Sequence, residues 1–173
     1  HNVAHSFPTR RSSDLVEQVV PDDWAFGFGG SLELSQGRLL ATSGPTYGDC
    51  AAVPYLFGRN EGGADRWGGL GAMGGSAAKV VGNYVALDGD LAAIGDVCDA
   101  QFGYPRAGAA HILLQVASPG WTEVAKLVPT APITRGSRSW ADGVAVDGRT
   151  IALHAGAIFE VRGTEVLSLE AES

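Results

Sequence analysis

Three stretches of this chain share one pattern: Ser31–Ser43 (SLELSQGRLLATS), Tyr84–Gly95 (YVALDGDLAAIG) and Gly143–His154 (GVAVDGRTIALH). Each is an apolar run, a glycine-centred turn and a second apolar run. The turn glycines Gly37, Gly89 and Gly148 lie 52 and 59 residues apart. Self-similarity at this period marks a propeller or another β-array, because one such unit cannot bury its apolar face without a neighbour. Asp88-Gly89 and Asp147-Gly148 are strong hairpin signals, expected as the central pairs of type I′ turns, where both residues take positive φ. Gln36-Gly37 is a weaker version of the same turn.

The rest of each unit continues in short runs bounded by Gly, Pro, Asp and Ser, and no segment carries a helical stripe over ten residues. In the second unit, Ala109–Val116, a Ser118-Pro119-Gly120 turn and Trp121–Leu127 form a hairpin. Strict alternation along the last strand places Trp121, Glu123, Ala125 and Leu127 on one face, with Thr122, Val124 and Lys126 on the other. In the third, Ala157–Val161, the Arg162-Gly163 turn and Thr164–Leu169 form a shorter hairpin. In the first, Ala51–Phe57 leads through the Gly58–Gly63 turn to a poorer strand, Asp65–Leu70. Each unit therefore holds about four strands, the content of one propeller blade. Val128–Arg135 is a connector, since Pro129 and Pro132 cannot donate to a ladder.

The N-terminal segment is of another kind. His5–Leu15 reads HSFPTRRSSDL, which resembles one reading frame of common sequencing-adapter DNA. Residues 1–15 are expected to be a non-native tail that takes no part in the fold. Natural sequence is then expected to begin at Val16, within an open reading frame. The full chain carries 12 Lys and Arg against 19 Asp and Glu, a net charge of −7. Without the tail's two arginines and one aspartate the net charge is −8. An acidic chain with no basic cluster argues against nucleic acid and anionic membrane surfaces as partners. No apolar run approaches eighteen residues, so no membrane-spanning helix is expected.

The residues that repeat resemble a known family, the FG-GAP repeats of β-propellers, in the form common in secreted bacterial proteins and distantly related to the integrin α-chain propeller. Phe28-Gly29 with Ser31–Leu34 resembles the repeat opening. Leu87-Asp88-Gly89-Asp90 with Ala92–Gly95 resembles the turn and the strand after it. Gly108–Leu127 (GAAHILLQVASPGWTEVAKL) is the closest match. The resemblance spans about residues 24–169. It implies an all-β fold, a partial β-propeller of about three four-stranded antiparallel blades at 24–73, 82–130 and 140–170, within a fragment covering 16–173. A propeller ring takes four to eight blades, so the remaining blades are expected upstream. The implied role is a non-enzymatic, extracellular or cell-surface module that binds protein or carbohydrate through its loops. The alternatives are a propeller module of a larger secreted hydrolase and a purely structural array.

The chain departs from the family at the calcium loop. Calcium takes six or more oxygens, hence carboxylates at alternate positions. Asp88-Gly89-Asp90 is too short to supply them, Asp147 stands nearly alone, and the first unit offers Ser35 and Gln36. These aspartates read as turn formers. His111 sits mid-strand and His154 ends a strand, each without a Cys or second His nearby, so both read as packed residues. Asp49, Asp96 and Asp99 are loop acids, the kind of position where function is carried on rigid scaffolds. Gly27-Phe28-Gly29-Gly30 precedes a strand and lacks a following Lys-Ser/Thr, unlike a phosphate loop. No Gly-x-Ser-x-Gly elbow occurs. Trp24, Trp67, Trp121 and Trp140 recur about once per unit and suit packing between blades, with sugar stacking as the alternative. Cys50 and Cys98 follow equivalent strands, which allows either a disulfide or two buried thiols. No catalytic, cofactor-binding or metal-ligating residue is assigned.

Overall fold

Short β-prone runs separated by tight turns pair with their sequence neighbours, and the chain becomes three meanders. A computed structural model describes residues 19, 27–43, 52–73, 82–101, 103–104, 106–117, 120–130, 139–154 and 156–169. Within them the fold is all-β. The first sheet contains β1 (Leu32–Ser35), β2 (Arg38–Thr42), β3 (Pro54–Arg59) and β4 (Trp67–Ala72). The second contains β5 (Tyr84–Asp88), β6 (Leu91–Asp96), β7 (Ala109–Ala117) and β8 (Gly120–Leu127). The third contains β9 (Val144–Asp147), β10 (Thr150–Leu153), β11 (Ile158–Arg162) and β12 (Glu165–Leu169). All three have the same antiparallel order, first to fourth strand. No sheet closes on itself.

The first strands of the three sheets lie side by side, with β5 between β1 and β9. The second sheet is therefore covered on both faces, and every residue of β6 is buried. Two apolar clusters fill the seams. One joins Leu40 and Leu56 of the first sheet to Val85, Leu87, Ile94 and Leu113 of the second. The other joins Leu91, Ala93, Ala110 and Ile112 of the second to Ile151, Leu153 and Val161 of the third. Phe28 closes the first sheet from the other side, meeting Tyr55 and Phe57 edge to face at 6.3 and 5.9 Å. Trp140 meets Phe159 in the same way at 6.4 Å, and Trp121 packs on the first cluster.

The inner hairpin turns fall one residue away from the expected phase. Asp88 pairs with Leu91 and Asp147 with Thr150, so the central residues are Gly89-Asp90 and Gly148-Arg149. Only the glycine of each pair has positive φ, 56° in both. That is the signature of a type II′ turn, with glycine first, and not of the Asp-Gly type I′ turn. The I′ signature instead appears at Gln36-Gly37, with φ of 49° and 75°. The shift leaves Asp88 as the last strand residue, with its carboxylate directed away from its own turn.

That carboxylate links all three sheets. The Ser35 hydroxyl donates to Asp88 Oδ1 at 3.2 Å, and the Gly148 amide donates to Asp88 Oδ2 at 2.8 Å. The Gly89 amide donates in turn to Ser35 Oγ at 3.2 Å. Arg38 donates to the Gly89 carbonyl at 3.0 Å, and Arg149 pairs with Asp90 at 2.8 Å. Lower in the second seam, a Cβ on Gly95 would lie 2.3 Å from the Ala141 carbonyl oxygen. Glycine at 95 is what lets the backbones of the second and third units approach this closely.

Two outcomes are expected. Gly95→Ala forces backbone displacement at the seam and lowers stability by about 1–3 kcal/mol in urea unfolding. Asp88→Ala removes two inter-sheet acceptor contacts from a half-buried carboxylate and costs about 1–2 kcal/mol in the same assay. Asp88→Asn, which keeps one acceptor oxygen, should lose less; equal losses for the two would contradict the bridging role.

Candidate functional site

The chemically richest place among the described residues lies where β6 ends and β7 begins, the end of the second sheet opposite the inner turns. β-Strand alternation alone would not assemble it. Ile112 pairs with Ala125 but Leu113 pairs with Glu123, so Val124 is an extra residue in a β-bulge. A bulge reverses the facing of everything beyond it. Trp121 therefore packs on the first-to-second seam, whereas Ala125 and Leu127 pack on the second-to-third. This corrects the single face expected for Trp121, Glu123, Ala125 and Leu127. The same bulge brings Glu123 to the face that carries His111 and Lys126.

His111 Nδ1 lies 2.9 Å from Glu123 Oε1. Its Nε2 is buried with no hydrogen-bond partner. Lys126 pairs with Asp99 at 2.5 Å, and Gln101 also donates to Asp99. Asp96, buried at the end of β6, accepts the Cys98 amide at 2.8 Å. Cys98 itself is in a disulfide. The chain has one other cysteine, Cys50, which lies outside the described residues.

The electrostatics follow from these contacts. Burial raises the Asp96 carboxyl above its ordinary value, against the opposing pull of the Cys98 amide and the His111 charge. For Asp99, burial pushes upward too, but the hydrogen bonds from Lys126 and Gln101 outweigh it, and the carboxyl sits below its ordinary value. Both oxygens of Asp99 and Oε1 of Glu123 are engaged by neighbours, and the cluster contains no Ser or Thr hydroxyl and no free thiol. Its contacts act to fasten the 96–101 loop and its disulfide to β7 and β8.

The second feature is a cleft of about 350 Å³ between the first and second sheets, at the inner-turn end. Gln36, Arg38, Arg59, Glu61 and Gln115 line it, with Leu70 as an apolar wall. Leu70 reaches that wall through a bulge of its own, because Leu56 pairs with Gly71 and Phe57 with Gly69. Arg59 is held by Asp65 at 2.9 Å, and Arg38 by the Gly89 carbonyl. The two guanidinium groups, two amides and one carboxylate are positioned by different elements around one opening.

The remaining sequence candidates are dispersed. His154 lies 3.4 Å from Asp142 at the end of β10, away from His111. Asp88 and Asp90 are engaged by turn and arginine contacts across the seams. Gly27–Gly30 form a turn leading into β1. Asp49 and Trp24 lie outside the described residues. Among the described residues, no cluster of three or more His, Cys, Asp or Glu has the arrangement of a metal site. No protein-family model, curated protein or solved structure matches the chain.

The raised carboxyl of Asp96 has a definite pH consequence. The folded state holds this proton more tightly than the unfolded state, whose carboxyl titrates near 3.8. The stability it contributes is full below pH 3.8 and is lost as pH rises through the folded-state pKa. Asp96→Asn keeps an acceptor for the Cys98 amide without a buried charge. It should raise the melting temperature at pH 7 and change it little at pH 3.5. Equal shifts at both pH values would show that ionisation of Asp96 is not involved.

Proposed function

We propose that this chain is part of an FG-GAP-like β-propeller of the secreted or cell-surface kind, acting as a non-enzymatic binding module. The arrangement of the three sheets supports the propeller reading: identical meanders, first strands adjacent, and inner turns bonded from one sheet to the next. Bulges at matching places add to it, since Leu56/Phe57 and Ile112/Leu113 occupy the same register positions of their sheets.

The cleft between the first two sheets carries the binding role. Its two arginines, two amides and one carboxylate offer donors and acceptors converging from several directions, with Leu70 as an apolar contact. Sugars are bound by such groups, which match adjacent hydroxyls in pairs and leave the ring's carbon face to an apolar wall. A carbohydrate chain or a glycosylated protein surface is therefore the ligand class favoured here.

A glycan array probed with the whole chain tests this reading. Binding to a restricted glycan set is expected, with Gln115→Ala or Arg59→Ala reducing the apparent affinity at least about tenfold, the loss of one good polar contact. Binding that both substitutions leave unchanged would remove the cleft from the proposal.

A further inference from the structure

One row of paired residues differs between the first two sheets, and the cleft lies over it. Counting from the inner turn, Arg38 occupies the position of Leu91, and Gly58 that of Leu114. In the second sheet these two leucines are 0 % and 5 % exposed and fill the seam with the third. In the first sheet the same row holds a guanidinium, which reaches the second sheet at Gly89, and then no side chain. Gly68 continues the row on β4, where the second sheet has Thr122. The seam is left open at this point, and the opening is the cleft of about 350 Å³. Its volume lies within the range of small-ligand pockets, about 300–1,000 Å³.

The glycines also shape the wall. A Cβ on Gly58 would lie 2.7 Å from Glu61 Cγ and 3.1 Å from Leu70 Cδ1, so bare backbone is what lets both side chains lie over the row. A Cβ on Gly68 would overlap the Glu61 backbone in the same way.

Arg38 brings a charge to this opening without a counter-ion. It is half-buried, and its Nη1 donates to the Gly89 carbonyl at 3.0 Å. Among the described residues its Nε and Nη2 make no hydrogen bond, and no carboxylate pairs with it, Glu61 on the same opening included. Arg59, by contrast, is already paired with Asp65. A recessed, unpaired cation is an exception on a chain of net charge −7. The Gly89 contact holds the guanidinium in place, which lowers the ordering cost of binding to its free edge.

We propose that the cleft selects a sugar bearing a carboxylate, a uronic or sialic acid residue, and that Arg38 is the group that selects it. The free Nε–Nη2 edge of the guanidinium matches the two oxygens of a carboxylate in parallel. Glu61, Gln36 and Gln115 meet the ring hydroxyls, and Leu70 meets the carbon face. This selectivity rests on the carbohydrate reading of the same cleft and adds the charge of the ligand.

Isothermal titration of the whole chain with two matched pairs of ligands provides the test: digalacturonate against its methyl ester, and sialyllactose against lactose. One acid is expected to bind at least about tenfold more tightly than its neutral partner, the effect of one charge-assisted contact. The pair that shows the difference tells a uronic from a sialic acid. Arg38→Gln should remove the difference with an unchanged far-ultraviolet circular dichroism spectrum. Arg38→Leu combined with Gly58→Leu rebuilds the leucine pair of the second sheet and should abolish binding of acid and neutral sugar alike. Should a variant unfold, the matched ligands still give the readout on the unaltered chain. Equal binding within both pairs, or a difference that survives Arg38→Gln, overturns the charge selection and leaves the carbohydrate reading standing. Absence of binding by all four ligands also overturns the selection, and a glycan array without hits overturns the carbohydrate reading with it.

Discussion

The carboxylate of Asp88 fixes where the three sheets stand relative to one another. Apolar packing at the seams supplies most of the burial, but it is non-directional. A face of Leu, Ile and Ala accepts a neighbouring sheet at several offsets. The acceptor positions at Ser35 and Asp88 remove that freedom, because each must meet one turn amide 54 or 60 residues later. The type II′ phase of the turns is what makes this geometry available. With glycine first, the aspartate is the last strand residue and can reach the neighbouring sheet; in an Asp-Gly type I′ turn it would occupy the turn itself.

The bulges perform a second task with the same economy. One extra residue in β8 turns Glu123 toward His111 and leaves Val124, Ala125 and Leu127 on the opposite seam. One extra residue in β4 sends Leu70 into the cleft and onto the first seam. In both sheets the bulge, not strict alternation, decides which side chains of the outermost strand reach the seam between the first and second sheets. The polar cluster at the disulfide loop and the wall of the cleft are products of this irregularity.

This explains which parts of the structure were legible from the residues. Strand content, four strands to a unit and the positions of the inner turns follow from local patterning, which hairpins preserve because their partners are adjacent in sequence. Turn phase did not follow, since Asp-Gly and Gly-Asp overlap at residues 88–90 and a one-residue choice is settled by the neighbouring sheet. The His111–Glu123 pair was invisible for a similar reason: alternation places Glu123 on the wrong face, and only the bulge corrects it. Inter-sheet contacts such as Ser35 to Asp88 join residues 53 apart. No local period encodes them, although the recurrence of a small polar residue before each inner turn was a signal that could have been read.

Burial along the array has a thermodynamic corollary. In a repeat array each unit contributes its own stability plus a term for every neighbour it packs on. The second sheet has two such terms and holds the fully buried strand β6, whereas β1 is largely exposed and β9 alternates between half-buried and exposed. The outer strands of the third sheet likewise leave Ile158, Leu167 and Leu169 in contact with solvent. The two outer sheets differ in this respect: Phe28 covers Tyr55 and Phe57 on the far face of the first, whereas the far face of the third leaves Ile158 exposed beside Ala145, Asp147 and Thr150. The stability of the array is therefore concentrated at the second sheet, which shares an apolar seam with each of its neighbours.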